Sequence, residues 1–369
     1  MNRPYSRSEN TGLISVIHTT LKKDAPNIIK FSATKRHKTM TNILICGFGS
    51  IGQKHAKNLT DMGASLRIWR HRQDQKEAII DAGYEFEPSL ENGLDWADAA
   101  IIATATDQHI APATLAAQKN VPYYMEKPVS LNTNGLRELE QNSRNLPIEI
   151  GCQLRHHPSL VALKHQLTHH EYGKVLSFQA WVGQRLDEWR PGSDYRKCYS
   201  ADTTRGGGAL FDLVHEIDLM TWLVGPMDSV YADLRHNSDL DMNAEDLANI
   251  ILSADNKAAG TVQLDMLSPA YRRGLQIICE KCVYTFDMKE GILWRKIGSD
   301  DVQCIAKPDK NFQPADMLKN AVEYFINRVK DPTIAPRCGL EDGIHDLHIL
   351  LAAKQSNSNK TQEKIRETL

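Results

Sequence analysis

The 369-residue sequence has no run of about 18 consecutive apolar residues, the length that a helix needs to cross a bilayer. Its first residues also lack the apolar core and small-residue cleavage site of a secretory signal. Lysine and arginine (44) nearly balance aspartate and glutamate (46), so there is no general attraction to nucleic acid or anionic lipid. We therefore expect a cytoplasmic protein whose partners include neither nucleic acid nor membrane.

Cysteine is sparse and odd in number, with seven residues scattered along the chain, so a disulfide framework is not expected. Cys279 and Cys282 form a CEKC motif, but a tetrahedral zinc site needs four ligands. No second pair has suitable spacing. We expect reduced thiols, a structural role for this motif and no metal.

The composition, 41% hydrophobic and 24% charged, is that of a globular chain long enough for two domains. Residues 1–39 are polar and basic and precede Met40, which stands just before the first strand-like segment. They fit a transit peptide, a tail or upstream sequence from a misassigned start codon. We favour the last, and treat 1–39 as an N-terminal extension that is disordered or foreign to the native protein.

Apolar segments then alternate with helical patterns, which is typical of βαβ units in a parallel sheet. Strands are predicted at 43–46, 66–69, 99–103, 123–125 and 148–150, and helices at 51–62, 75–82, 110–119 and 131–143. The pattern predicts a doubly wound Rossmann domain over residues 40–155.

After Gly151 several strand-like segments follow one another, which indicates an α+β domain with a large, mostly antiparallel sheet over residues 156–357. Its predicted strands are 175–181, 229–234, 248–252, 260–267, 275–278 and 284–287, with helices at 159–170, 317–329 and 343–356. Residues 358–369 are predicted to be a polar tail.

A GxGxxG motif stands directly after the first predicted strand. Its glycines permit a tight turn, close approach of a pyrophosphate and tight helix packing, while backbone N–H groups face the phosphates. A structural turn alone would also use glycine, but the βα repeats that follow favour a dinucleotide site. The predicted phosphate loop is Gly47, Phe48, Gly49, Ser50, Ile51 and Gly52.

The end of the second strand selects between NAD and NADP, because a carboxylate there binds the ribose 2′-hydroxyl and arginine suits a 2′-phosphate. Here Arg70 and Arg72 occur, with no carboxylate before Asp74. The pattern favours NADP(H) over NAD(H), with both arginines as a phosphate clamp. The alternative is that they are solvated surface cations.

Three segments together resemble the glucose-fructose oxidoreductase, inositol dehydrogenase and rhizopine-catabolism (Gfo/Idh/MocA) family. They are CGFGSIGQKHAKNL, IIATATDQHIAPATLAAQKNVPYYMEKPVS and GGGALFDLVHEIDL. The resemblance extends from Thr41 to about Asn357. It implies a nicotinamide-dependent Rossmann domain followed by a sheet domain for substrate binding and assembly into a homodimer or homotetramer.

Lys127 follows the predicted strand 123–125, at the sheet edge where α/β proteins bind ligands. A partly desolvated lysine can donate to a substrate oxygen and exchange its proton near neutral pH. From the residues alone, a surface lysine without a catalytic role is an equally good interpretation. The family resemblance implies that Lys127 is catalytic and also binds cofactor and substrate. It further implies that Thr104, His109 and Glu126 lie beside the cofactor. The alternative for His109 is an exposed residue at the start of a helix, which the sequence does not distinguish from a cofactor contact.

Asp212 and His215 are predicted to share one face of a helix, where a carboxylate can orient a histidine acting as general acid and base. A structural, partly buried histidine is the alternative, and the resemblance favours catalysis and substrate binding by both residues. DLVH is one residue shorter than the DxGxH motif of many family members. The role of Asp212 is therefore the least secure of the three catalytic candidates, and the shorter motif indicates a subgroup of the family.

The loop WRPGSDYRKCYSA (189–201) is rich in aromatic and polar groups suited to a polyhydroxylated ligand, although an oligomer contact explains it equally well. Trp189, Tyr195 and Arg196 are its predicted substrate contacts. Arg155, after the predicted strand 148–150, resembles a family residue near the cleft and is a further substrate candidate. It also fits a polar group around the helix start at Pro158.

The resulting hypothesis is an NAD(P)-dependent dehydrogenase or reductase acting on CH–OH groups of a sugar or sugar derivative. Loops similar to 189–201 occur in subgroup members that belong to bacterial surface-sugar gene clusters. This similarity adds nucleotide sugars to the candidate substrates. Two alternatives stay open. One is a reductase of non-sugar carbonyls like the biliverdin reductase and dihydrodiol dehydrogenase relatives; the other is a cofactor-binding sensor without catalysis, which would not need Lys127, Asp212 and His215 together.

Overall fold

The structure is a computed structural model that describes residues 41–72, 75–189 and 192–365. The extension predicted for residues 1–39, together with Asp74 and residues 366–369, lies outside the described residues. The folded part contains two sheets.

The first sheet is parallel, and within the described chain its six strands follow the order β3-β2-β1-β4-β5-β6. This order joins two βαβ halves and is that of a Rossmann domain, which confirms the predicted doubly wound fold. Its strands are β1 (Asn42–Cys46), β2 (Ser65–Trp69), β3 (Glu85–Glu87), β4 (Ala99–Ile102), β5 (Tyr123–Met125) and β6 (Ile148–Ile150). The helices between them are α1 (Ser50–Asp61), α2 (Lys76–Asp81), α3 (Leu90–Trp96), α4 (Ile110–Gln118) and α5 (Leu136–Ser143).

The central strands are apolar and buried on both faces because helices cover both sides of the sheet. Part of that cover comes from the far end of the chain. Helix α9 (Asp316–Lys330) inserts Val322 and Phe325 into the same core as Ile43 and Tyr124, and the Tyr124 and Phe325 rings meet edge to face. The division into consecutive domains is therefore incomplete, since α9 packs on the Rossmann sheet.

The second sheet has nine strands in the part of the chain that the structure describes, in the order β14-β13-β12-β11-β7-β10-β9-β8-β15. Only β7 and β10 pair in parallel; the other neighbours are antiparallel, as the sequence predicts. Its strands are β7 (Val175–Gly183), β8 (Met227–Arg235), β9 (Leu247–Ala254), β10 (Ala259–Asp265), β11 (Arg272–Cys279), β12 (Val283–Asp287), β13 (Ile292–Lys296), β14 (Gln303–Ala306) and β15 (Glu363–Lys364). The accompanying helices are α6 (Pro158–Thr168), α7 (Ala209–Asp212), α8 (His215–Val224) and α10 (Leu340–Asn359).

Most predicted boundaries differ from the structure by a few residues, and two of the differences have a visible cause. The helix predicted from residue 131 begins at Leu136, because Ser130 and Asn132 side chains accept backbone N–H groups in turns and Gly135 has φ +77°. The predicted polar tail is partly ordered, since α10 extends to Asn359 and β15 pairs with β8. No helix among the described residues has the length and apolar character of a membrane span.

Candidate active site

The glycine loop connects β1 to α1 through positions that exclude side chains. Gly47 has φ +106°, and a Cβ there would lie 2.4 Å from the Ala103 carbonyl oxygen. A Cβ on Gly52 would lie 2.3 Å from the Gly47 oxygen. The strand, turn and helix can therefore pack this closely only with glycine at both positions.

The start of α1 fits a pyrophosphate. Gly49 and Ser50 are exposed, and the first turn carries no acidic residue to compete for its N–H groups. Phe48 is buried against Tyr84 and Ile51 is half-buried beside the same core, so these two can contribute through their backbone.

The end of β2 presents the residues predicted to bind the adenosine ribose. Arg70 is half-buried with a further interaction of its own, and Arg72 is exposed. Residues 70–72 contain no carboxylate for a ribose 2′-hydroxyl. Both arginines thus lie beyond the end of β2, as their sequence positions predict.

Glu126 forms a buried contact that the sequence reasoning missed. His55 Nε2 lies 2.7 Å from Glu126 Oε1, and the His55 side chain is inaccessible to solvent. Because His55 follows Gly52 by three residues on α1, the contact ties the glycine-loop helix to the segment that carries Lys127. The GxGxxGxxH spacing was the available signal.

His109 connects two loops at the edge of the Rossmann sheet. Its Nδ1 lies 2.9 Å from the Pro128 oxygen and its Nε2 lies 3.1 Å from the Thr104 oxygen. Burial lowers the pKa of His109 below its usual 6.5, which favours the neutral ring with a single N–H. The ring is buried, not on a helix surface, and both nitrogens face backbone oxygens, so His109 holds the loops in place. Thr104 Oγ1 donates to the Gln108 oxygen.

Lys127 and Asp212, both candidates from the sequence, lie in contact. Lys127 Nζ donates to the Asp212 backbone oxygen at 2.5 Å and lies 3.5 Å from Asp212 Oδ1. Tyr199 Oη donates to that same Oδ1 at 2.8 Å. Asp212 Oδ2 is buried and has no hydrogen-bond partner among the described residues.

His215 does not share a helix with Asp212, so the prediction of one continuous helical face is wrong. Helix α7 ends at Asp212 and α8 begins at His215, with a break at Leu213 and Val214. His215 Nδ1 is buried without a partner in the described part of the chain. Burial, with Lys127 and Arg273 nearby, lowers the pKa of His215 well below 6.5 and keeps the ring neutral.

The acidic neighbours of His215 pair elsewhere. Glu216 accepts from Arg273 Nε at 2.6 Å and Nη2 at 3.1 Å, and both side chains are buried or nearly so. Asp218 pairs with Arg155. Glu216 and Asp218 thus each neutralise a buried guanidinium and are engaged away from His215.

Arg155 is a structural residue in this fold, which corrects its expected contact with substrate. Its side chain is 1% exposed, with Nη2 2.6 Å and Nε 3.0 Å from Asp218 Oδ1. Nη1 donates to the Arg337 oxygen at 2.6 Å and approaches Asp342 at 3.4 Å. All three nitrogens therefore have partners within the protein.

The substrate-loop candidates also have partners within the protein. Trp189 Nε1 donates to the Gln184 oxygen at 2.9 Å, and Tyr195 Oη accepts from the Asp241 N–H at 2.9 Å. Arg196 is exposed and pairs with Asp194 at 2.8 Å. The loop reaches the Lys127–Asp212 pair through Tyr199, which nothing in the sequence distinguished from Tyr195. The CEKC motif brackets the turn between β11 and β12, where Cys279 N–H donates to the Cys282 oxygen.

Two curated dehydrogenases are similar to this chain in sequence. Relatives include scyllo-inositol 2-dehydrogenase (NAD(+)) of Bacillus subtilis (strain 168), 25% identical over 242 residues that cover 61% of this chain and 67% of that protein. Myo-inositol 2-dehydrogenase of Thermotoga maritima is 20% identical over 359 residues, covering 88% of this chain and 98% of that protein.

Solved structures share the fold. Levoglucosan dehydrogenase in complex with NADH matches with a TM-score of 0.78 at 17% identity, over 89% of this chain and 100% of the other. The WlbA dehydrogenase from Bordetella pertussis, in complex with NADH and UDP-GlcNAcA, matches with a TM-score of 0.73 at 21% identity, over 89% and 99%.

Two family models match consecutive parts of the chain. The oxidoreductase family with an NAD-binding Rossmann fold matches residues 41–146, and the GFO/IDH/MocA C-terminal domain matches residues 160–285. The chain therefore belongs to the Gfo/Idh/MocA family of oxidoreductases.

Proposed function

We propose that the protein is a nicotinamide-dependent dehydrogenase that oxidises a secondary hydroxyl of a sugar or cyclitol, or reduces the corresponding ketone. The observation that carries the proposal is the group formed by Lys127, Asp212 and Tyr199, with the neutral His215 close in sequence, beyond the carboxyl end of β5. The same edge of the sheet carries the glycine loop. Dehydrogenases of inositols and levoglucosan among its relatives and fold neighbours support this substrate class.

Lys127 is the proposed proton carrier. In oxidation its neutral amine accepts the substrate hydroxyl proton, and in reduction its ammonium form donates a proton to the forming alkoxide. The ammonium also stabilises negative charge on that oxygen. A bound nicotinamide supplies the hydride acceptor or donor.

Asp212 and His215 are proposed to bind the substrate hydroxyls and assist proton transfer. Asp212 Oδ2 and His215 Nδ1 are buried polar atoms without partners among the described residues, each costing roughly 1–3 kcal/mol while unpaired. A polyol that enters this region can supply the missing hydrogen bonds. A neutral imidazole can accept a proton at its unprotonated nitrogen.

The decisive test is a turnover assay of the full chain with NAD(P)⁺ and a panel of inositols, hexoses, anhydrosugars and nucleotide sugars. We expect Lys127→Met to abolish turnover while leaving cofactor affinity near wild type. A Lys127→Met variant with the wild-type rate would remove Lys127 from the mechanism. Turnover confined to non-sugar ketones or dienes would favour the reductase alternative, and tight cofactor binding without any turnover would favour a sensor.

We further propose a preference for NADP(H), carried by Arg70 and Arg72. A cationic pair beyond β2 suits a 2′-phosphate, whereas NADH is what the compared fold neighbours hold. Fluorescence titration of wild type and an Arg70→Ala, Arg72→Ala double variant with NADPH and NADH decides between them. Loss of a preference for NADPH in the variant supports the clamp; equal or tighter binding of NADH by wild type refutes it.

The exposed face of the second sheet is the proposed surface for homo-oligomer formation. Strands β7, β8, β9 and β11 of this sheet expose Leu176, Tyr231, Ile251 and Ile278 at 37–52% of their surface. Burying these side chains against a second copy removes them from water. Light scattering after size-exclusion chromatography should show a dimer or tetramer that Ile251→Asp shifts toward the monomer; an unaffected oligomer would exclude this face.

A further inference from the structure

Tyr199 is the residue in the site whose role neither the sequence nor the comparisons assign. It begins a short 3-10 turn, Tyr199–Ala201, and its phenolic hydroxyl donates to Asp212 Oδ1 at 2.8 Å. Lys127 Nζ lies 3.5 Å from the same carboxylate oxygen. One oxygen therefore faces both the phenol and the ammonium, and the phenol is the closer.

The ion pair between Lys127 and Asp212, beside the Tyr199 phenol, is longer than usual. A hydrogen-bonded ammonium and carboxylate normally approach to about 2.7–2.9 Å. Lys127 instead makes its short contact, 2.5 Å, with the backbone oxygen of Asp212. The short hydrogen bond from Tyr199 to Oδ1 thus coincides with an ammonium–carboxylate distance that is longer than usual, 3.5 Å.

The backbone of Tyr199 is held firmly enough for this task. Its oxygen accepts from the Asp202 N–H at 2.9 Å, and the Ser200 oxygen accepts from Gly208 N–H at 2.9 Å. A Cβ on Gly207 would lie 2.3 Å from the Tyr199 oxygen, so the glycine triplet packs directly on this turn. The triplet thereby joins the turn of Tyr199 to the helix that ends at Asp212.

We propose that Tyr199 is a positioning residue that keeps the Asp212 carboxylate from forming a closed ion pair with Lys127. A closed pair would stabilise the ammonium form and hinder proton exchange with the substrate oxygen. With the phenol in place, Lys127 stays available for that exchange and Asp212 Oδ2 stays available for a substrate hydroxyl. The catalytic consequence rests on the proposed function of Lys127.

Tyr199→Phe tests the proposal because it removes only the hydroxyl. The matched control is Tyr324→Phe, which removes a phenolic hydroxyl that donates to the Ala335 oxygen at 2.7 Å, outside the site. Cofactor affinity, thermal midpoint, kcat and KM are measured for the full chain. We expect Tyr199→Phe to lower kcat roughly tenfold to a hundredfold with cofactor affinity unchanged, and the control to match wild type.

A second readout does not depend on turnover. Acetic anhydride labels neutral amines, so the pH dependence of Lys127 acetylation, followed by mass spectrometry of peptides from the cofactor-free protein, reports its protonation. We expect the midpoint for Lys127 in Tyr199→Phe to move upward by about one pH unit, and the midpoint in Tyr324→Phe to stay at the wild-type value.

The outcomes separate this proposal from the proposed function. An unchanged labelling midpoint in Tyr199→Phe overturns the positioning role, even if kcat falls, because loss of packing alone would produce that fall. An upward shift supports it. If the shift occurs while wild type turns over no substrate, the geometry of the ion pair stands and the dehydrogenase function fails.

Discussion

Two neighbouring buried carboxyl groups should respond in opposite ways to the same substitution. Asp218 carries the charge that neutralises Arg155, whereas Asp346 on α10 is buried beside Asp218. Burial and the Asp218 carboxylate raise the pKa of Asp346 well above its usual 3.8. Folding therefore favours the protonated form of Asp346.

The size of the effect follows from the contacts. Asp218→Asn removes the negative charge opposite a guanidinium that is 1% exposed, and breaking such a buried pair costs about 3–5 kcal/mol. Asp342 lies 3.4 Å from Arg155 Nη1 and is 41% exposed, so it offsets part of this loss. We expect a decrease of about 3 kcal/mol in the free energy of unfolding.

Asp346→Asn should be neutral or stabilising at pH 7. The unfolded chain loses the Asp346 proton above about pH 4, whereas the folded protein retains it, so the wild type loses stability as pH rises through this window. An amide carries no such linkage, so the variant gains stability relative to wild type as pH rises above about 4.

Urea unfolding of wild type, Asp218→Asn and Asp346→Asn at pH 5, 7 and 8 measures both effects. Equal losses in the two variants, or a larger loss in Asp346→Asn, would refute the assignment of the charge to Asp218. A difference between Asp346→Asn and wild type that does not change with pH would refute the raised pKa.

Three further predictions concern the site and its supports. His55→Ala leaves the Glu126 carboxylate without its 2.7 Å partner, so we expect weaker NAD(P)H binding by fluorescence titration and about 2 kcal/mol lower stability; unchanged affinity would show that the contact does not shape the cofactor site. Gly207→Ala places a Cβ 2.3 Å from the Tyr199 oxygen, so kcat should fall sharply while cofactor affinity persists, and a wild-type rate would contradict the close packing. Burial lowers the pKa of His156 to about 3 and of His157 to about 4, so the unfolded chain protonates first as pH falls below about 6.5. The urea midpoint of the Asp346→Asn variant, which lacks the opposing contribution of Asp346, should decrease from pH 7 to 5, and a flat profile would contradict this.

Local sequence signals determined the Rossmann fold and the identity of the central catalytic candidates. The glycine loop, the βα alternation and the strand-rich second half depend on turn geometry and hydrophobic periodicity, which act over a few residues. Short elements carried too little periodic signal to be found. The helix α3 is only seven residues long, and the short strands β3, β13 and β14 owe their conformation to pairing with neighbouring strands.

Only the tertiary structure decided which charged and polar groups pair. Arg155 and Asp218 are 63 residues apart, and Lys127 and Asp212 are 85 apart, so neither spacing nor periodicity links them. An unpaired charge is costly when it is buried, so each buried cation pairs with the carboxylate that the packing places beside it. For this reason the sequence could name Lys127, Asp212 and His215 as candidates, while the selection of Tyr199 over Tyr195, and the exclusion of Arg155 from the site, required the packed fold.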